Sequence, residues 1–136
     1  MLRILFIILF LLSTNVFPEN NLAGKGLICA YGKNKDVYEA YLFFSKNYIS
    51  KFLFLEDNKF RIRENEKRNY STTSEYINLL PFKIHKKKLQ VIDTEFNKII
   101  GTCNLVNTHK EAISFMNKFK VESQESYNKT LKGYEV

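Results

Sequence analysis

Few residues in this 136-residue chain have the type and spacing to do chemistry. Two cysteines, Cys29 and Cys103, could form one disulfide, stay as buried thiols or join a metal site. A metal site is poorly served, because neither His85 nor His109 stands at ligand spacing from a cysteine. His85 lies among Lys83, Lys86, Lys87 and Lys88, a cation cluster that could focus an anion or form a solvated turn. Tyr70, Thr72, Thr73 and Ser74 offer hydroxyls, yet spacing places no base to activate one as a nucleophile. The acids Asp36, Glu39, Glu56, Asp57 and Asp93 fall mainly in expected turns or at strand edges. Aromatic side chains crowd residues 38–60. Of these, Tyr41, Phe43, Phe52, Phe54 and Phe60 are candidates to line an apolar ligand pocket, although a small barrel also fills its interior with such side chains. No cofactor is implied.

The formal charge is +7, from 21 Lys and Arg against 14 Asp and Glu. Much of it tracks composition: Lys, Asn, Ile, Phe and Tyr dominate, and all five have AT-rich codons. Lysine far outnumbers arginine, whereas readers of phosphate and guanine favour the bidentate arginine fork, so nucleic acid is not an expected partner.

These residues need a scaffold, and the chain first needs an address. Arg3 precedes an unbroken apolar run from Ile4 to Leu12, after which Ser13, Thr14 and Asn15 turn polar before Pro18. That three-part layout is a secretory signal over residues 1–20, and the run is about half of what a membrane span needs. The mature chain, 21–136, is expected to be one domain, secreted or periplasmic. Export makes a Cys29–Cys103 disulfide the natural expectation.

Along the mature chain, stretches near 22–31, 37–44, 48–55, 59–64, 70–80, 82–84, 89–93 and 99–106 are rich in branched and aromatic residues or alternate with period two. Turns are expected at Gly32 to Asp36, Lys46-Asn47, Asp57-Asn58, Lys86-Lys87 and Glu95 to Asn97. Thr108 and Glu111 match a capping box, with apolar residues at Ala112, Phe115, Met116 and Phe119, and Gly133 as the expected close, which predicts a helix over 109–132. The fold class is therefore mainly β with one C-terminal helix: an antiparallel meander of about seven or eight short strands, curled or closed into a small barrel. A disulfide between the first and last strands would hold the two ends of that sheet together, and the helix would cover its outer side.

Gly24-Lys-Gly-Leu-Ile-Cys29, Tyr70-Ser-Thr-Thr-Ser-Glu75, Lys87-Lys-Leu-Gln-Val91 and Gly101-Thr-Cys103, followed by a helix, resemble a group of short exported proteins from free-living marine bacteria with AT-rich genomes. The resemblance implies export and the cysteine pair, and it implies no chemistry. In outline the layout is also similar to lipocalins, but their Gly-x-Trp entry motif is missing, so no function is carried over from them.

The expected function is an exported, non-enzymatic binding or interaction module whose ligand is an apolar small molecule or a cell-envelope partner. A polyanion-binding surface built from Lys83, Lys86, Lys87, Lys88, Arg61 and Arg63 is the alternative, and a hydrolase centred on His85 the third reading.

Overall fold

The computed structural model describes residues 22–32 and 37–134. The expected signal segment and most of the turn before Val37 lie outside the described residues. Among the described residues ten strands precede one helix: β1 Gly26–Tyr31, β2 Val37–Phe43, β3 Asn47–Glu56, β4 Lys59–Glu64, β5 Arg68–Asn69, β6 Ser71–Thr72, β7 Tyr76–Asn78, β8 Phe82–His85, β9 Gln90–Asp93, β10 Lys98–Val106 and α1 His109–Tyr134. β5 lies outside the expected stretches and the expected stretch 70–80 divides into β6 and β7; β5 and β6 are two residues each, too short to show any alternation.

All pairings are antiparallel, in the order β4-β3-β2-β1-β10-β9-β8-β7-β6, with β5 beside β3. The sheet curls into a half-barrel. Its inner face buries Leu27, Cys29, Tyr41, Phe43, Tyr48, Ile77, Ile84 and Val91 in one cluster. Tyr70 carries the chain from β5 at one edge of the sheet to β6 at the other. Its amide donates to Lys46 O at 3.3 Å, its hydroxyl donates to Phe44 O at 2.8 Å, and its ring meets Phe43 and Tyr48. The Tyr48 hydroxyl adds a bond to Leu79 O at 3.1 Å. The edges are thus drawn together by side chains around residue 70, where no strand ladder joins them.

The disulfide is present, but it does not hold the sheet's ends. Cys29 and Cys103 face each other in register across β1 and β10, with Cα atoms 4.0 Å apart, near the spacing of a non-hydrogen-bonded antiparallel pair. Those strands are neighbours in the middle of the sheet, and β4 and β6 are its ends. The last strand returns beside the first because β7 to β10 are laid down outward-in, from the far edge toward β1.

The outer face of β1 and β2 is covered by α1, where Ala112 and Met116 bury themselves against Ile28, Ala40 and Leu42. Phe119 stacks on Tyr38 with ring centroids 3.7 Å apart. Gly26 permits this approach, since a Cβ there would stand 3.2 Å from the Ala112 Cβ and 3.1 Å from Tyr41 O. Phe115, expected under the helix, lies at its margin and is 37% exposed, touching Phe119 edge-on. The helix begins as expected: Thr108 Oγ1 accepts from the Glu111 amide at 3.1 Å, while the Glu111 carboxylate reaches back to the Asn107 amide at 3.3 Å. Gly133 does not close it, for the helix continues through Tyr134.

Candidate functional site

Antiparallel register lines side chains into rows across a sheet, and one inner-face row runs Cys103, Cys29, Glu39, Phe52, Arg63 over five strands. The adjacent row is Leu105, Leu27, Tyr41 and Ser50, and the next pairs Phe43, Tyr48 and Arg68. Glu39 is the one acid that β2 places on this face, directly beside the disulfide.

Glu39 is held by a chain of hydroxyls. Tyr41 donates to Glu39 Oε2 at 3.0 Å, and Tyr31 lies 2.7 Å from the Tyr41 oxygen. A phenol has one proton to give, so with Tyr41 donating to the carboxylate, Tyr31 is the donor to Tyr41. Gly101 makes room for this arrangement: a Cβ there would fall 2.7 Å from the Tyr31 ring and 2.7 Å from Ala30 O. Burial raises the Glu39 carboxyl above the ordinary carboxylate range, with the Tyr41 bond, Ser50 and the Arg68 charge opposing it. Burial likewise pushes both Tyr31 and Tyr41 upward, so their hydroxyls stay protonated throughout the neutral range.

A cleft of about 220 Å³ opens beside this chain, with Glu39, Tyr41, Tyr48, Ser50, Asn65 and Arg68 on one wall and Leu79 to Phe82 on the other. Ser50 is buried at 5% exposure and accepts from Asn65 Nδ2 at 2.7 Å. The segment between β4 and β5 supplies Asn65 and β5 supplies Arg68, while the β7–β8 connection closes the far side. A carboxylate, a guanidinium, an amide and three hydroxyls therefore converge on one small space, a set able to bind a ligand that both donates and accepts hydrogen bonds. A larger and more open groove lies between the β3–β4 turn and α1. Its amide side chains join those elements: Gln124 accepts from the Phe60 amide at 2.8 Å and donates to Asn58 O at 3.0 Å, and Tyr127 donates to Asn58 Oδ1 at 2.8 Å.

The five aromatics expected to share a pocket do not. Tyr41 and Phe43, at 3% and 0% exposure, fill the inner cluster, and of the two only Tyr41 reaches the cleft. Phe52 and Phe54 share that inner face, half-buried, with centroids 5.9 Å apart. Phe60 lies on the opposite face, against Tyr127 of α1. A sheet with apolar residues on both faces leaves alternation silent on which face is which.

The candidate anion patch is a turn on the outer side. Ile84 and Phe82 point to the inner cluster, so Lys83 and His85 point away from it. His85 Nδ1 accepts from the Lys87 and Lys88 amides at 3.2 and 3.0 Å, and its ring meets Tyr76 edge-on. Lys83 Nζ sits 4.5 Å over the same Tyr76 ring. The Lys86 amide donates to Glu75 O at 2.8 Å, and Lys87 and Lys88 are exposed. His85 therefore caps a turn, with the nitrogen a base would use already engaged. Arg61 and Arg63 lie on the inner face of β4, so they form no common surface with these lysines.

Among the described residues no group of three or more His, Cys, Asp or Glu could hold a metal ion. Sequence reasoning misses Glu39, Ser50, Asn65, Arg68 and Tyr31 as site residues. One signal points to them: an acid at position 39 inside the otherwise apolar strand Val37–Phe43, where a charge costs free energy unless partnered. No protein family, curated protein or solved structure matches the chain.

Proposed function

We propose that the protein is an exported, non-enzymatic binding module that takes a small polar ligand in the Glu39 cleft. The observation that carries this reading is a carboxylate and a guanidinium bordering one 220 Å³ cleft, with the carboxylate raised by burial. Perturbed groups converging in a concave space are the usual mark of a binding site. Binding is favoured over catalysis because the hydroxyls that meet the Glu39 carboxylate, on Tyr41 and Ser50, are buried and already partnered, and no histidine among the described residues lines the cleft to relay a proton. An apolar ligand fits less well, since one wall of the cleft is polar. Export is supported by the signal layout of residues 1–20 and by the Cys29–Cys103 bridge, which suits an oxidising compartment. It also agrees with the resemblance to short exported proteins of marine bacteria. No helix among the described residues is long and apolar enough to cross a membrane.

Native mass spectrometry of the protein purified from an exporting host tests the reading. The expected result is a mature mass that carries a bound small molecule, lost in the double variant Glu39→Ala, Arg68→Ala. A bare mature chain in the wild type would overturn it.

A further inference from the structure

We propose that the inner face of β3 and β4, next to the cleft, is a platform for an acidic carbohydrate chain. The proposal rests on the binding reading above and extends it along the same face.

The row that holds Glu39 continues into this surface. Phe52 lies across from Glu39 on one side and Arg63 on the other, and Phe54 lies across from Arg61. Directly opposed residues in an antiparallel pair are neighbours, so each half-buried ring has an arginine across from it. The two rings, tilted by 48° to each other, stand apart from the inner hydrophobic cluster. The elements packed on β4 are β3 and the helix, and the helix lies on the other face. Lys59, across from Glu56, adds a third cation. Two acids border this surface: Glu56, 4.0 Å from Arg61 with both side chains more than half exposed, and the partly buried Glu39 across from Phe52.

Two flat apolar faces with an arginine across from each suit a polymer whose units present both a C–H face and an anion. A ring covers the C–H face of a sugar, and the arginine fork takes a carboxylate or sulfate in two parallel hydrogen bonds. A uronate or sulfated sugar has both features. The disulfide argues for an oxidising compartment outside the cytoplasm, where acidic glycans rather than nucleic acids are the abundant polyanions.

Affinity electrophoresis in native gels containing polygalacturonate, with dextran as the neutral control, tests the proposal. Parallel gels carry single-stranded DNA or polyglutamate. Wild type should be retarded by polygalacturonate and not by dextran, and less so as salt approaches about 0.15 M. Arg61→Gln with Arg63→Gln should abolish retardation. Phe52→Leu with Phe54→Leu keeps apolar volume and removes the rings, and it should weaken binding about tenfold, equivalent to about 1.4 kcal/mol, with an unchanged melting temperature. Lys87→Gln with Lys88→Gln should leave binding unchanged. Absence of retardation, equal retardation of all variants, or equal affinity for DNA or polyglutamate would overturn the proposal. None of these results touches the cleft: a ligand still seen by native mass spectrometry in the Phe52→Leu, Phe54→Leu variant would leave that reading standing, whereas a bare wild-type chain would remove it.

Discussion

The Glu39 cleft and the Lys83–Lys88 turn are opposite cases of charge in this fold. The turn concentrates four lysines and a histidine, yet Lys87 and Lys88 are exposed, Lys83 lies over the Tyr76 ring and the one base is occupied by backbone amides. The cleft has a single acid, but the sheet takes it partly out of water, supplies a hydroxyl chain and brings an arginine near it. Electrostatic consequence follows burial and not the count of charges, since two charges attract several times more strongly where the effective dielectric is low. A cluster that stands out in the sequence can thus be inert, while a lone residue in an apolar strand becomes the most perturbed acid of the described chain.

Substitutions can break this contrast at graded cost. The largest effect is expected at the disulfide, whose sulfurs occupy the row of Glu39 and close a separation of 74 residues. Cys29→Ala with Cys103→Ala should lower unfolding free energy by about 4 kcal/mol on the chain-entropy estimate, read by urea titration. Reduction of the wild type should match it. Gly101→Ala forces a Cβ into the Tyr31 ring and should cost about 1 to 3 kcal/mol by the same titration, while disturbing the tyrosine chain.

Tyr41→Phe removes the hydroxyl that both accepts from Tyr31 and donates to Glu39, and should cost about 1 to 3 kcal/mol for the buried groups left without a partner. Because that hydroxyl favours the ionised carboxylate, the loss should be larger at pH 8 than at pH 4 in matched urea titrations. Glu39→Gln sharpens the comparison further. Burial raises the Glu39 carboxyl, so its ionisation in the folded state opposes folding. Stability from this group is complete below its unfolded value, about 4.3, and is lost as pH rises through the folded value. The Glu39→Gln variant should therefore melt above the wild type at pH 7, and the gap should close as pH falls toward 4. The smallest effect is at the turn: Lys87→Gln with Lys88→Gln should change stability by less than about 0.5 kcal/mol at either pH.

Much of the scaffold was readable from the chain. Period-two alternation in Lys59–Glu64, the turn residues Asp57 and Asn58, and Thr108 with Glu111 each encode their local structure through contacts a few residues apart. Two cysteines in one chain admit one intramolecular bridge. The cysteine pair announces that the first strand meets the last, but not that they lie in the middle of the sheet with β4 and β6 at its ends, because that order is set by pairings between residues seventy or more apart. The face of each strand was half readable: alternation groups Phe60 with Ile62 and Phe52 with Phe54, but which pair meets the helix depends on the curl of the sheet. The cleft was least readable, since Glu39, Ser50, Asn65 and Arg68 come from four separate segments that only the register brings together.

The most direct test maps binding onto these two regions at once. In ¹H–¹⁵N NMR spectra of the oxidised mature protein titrated with a short oligogalacturonate, the amides of Glu39, Ser50, Phe52, Phe54, Arg63 and Arg68 should shift in a saturable manner, while those of Lys86, Lys87 and Lys88 stay fixed. Shifts confined to the lysine turn, with the inner-face row unmoved, would contradict the account.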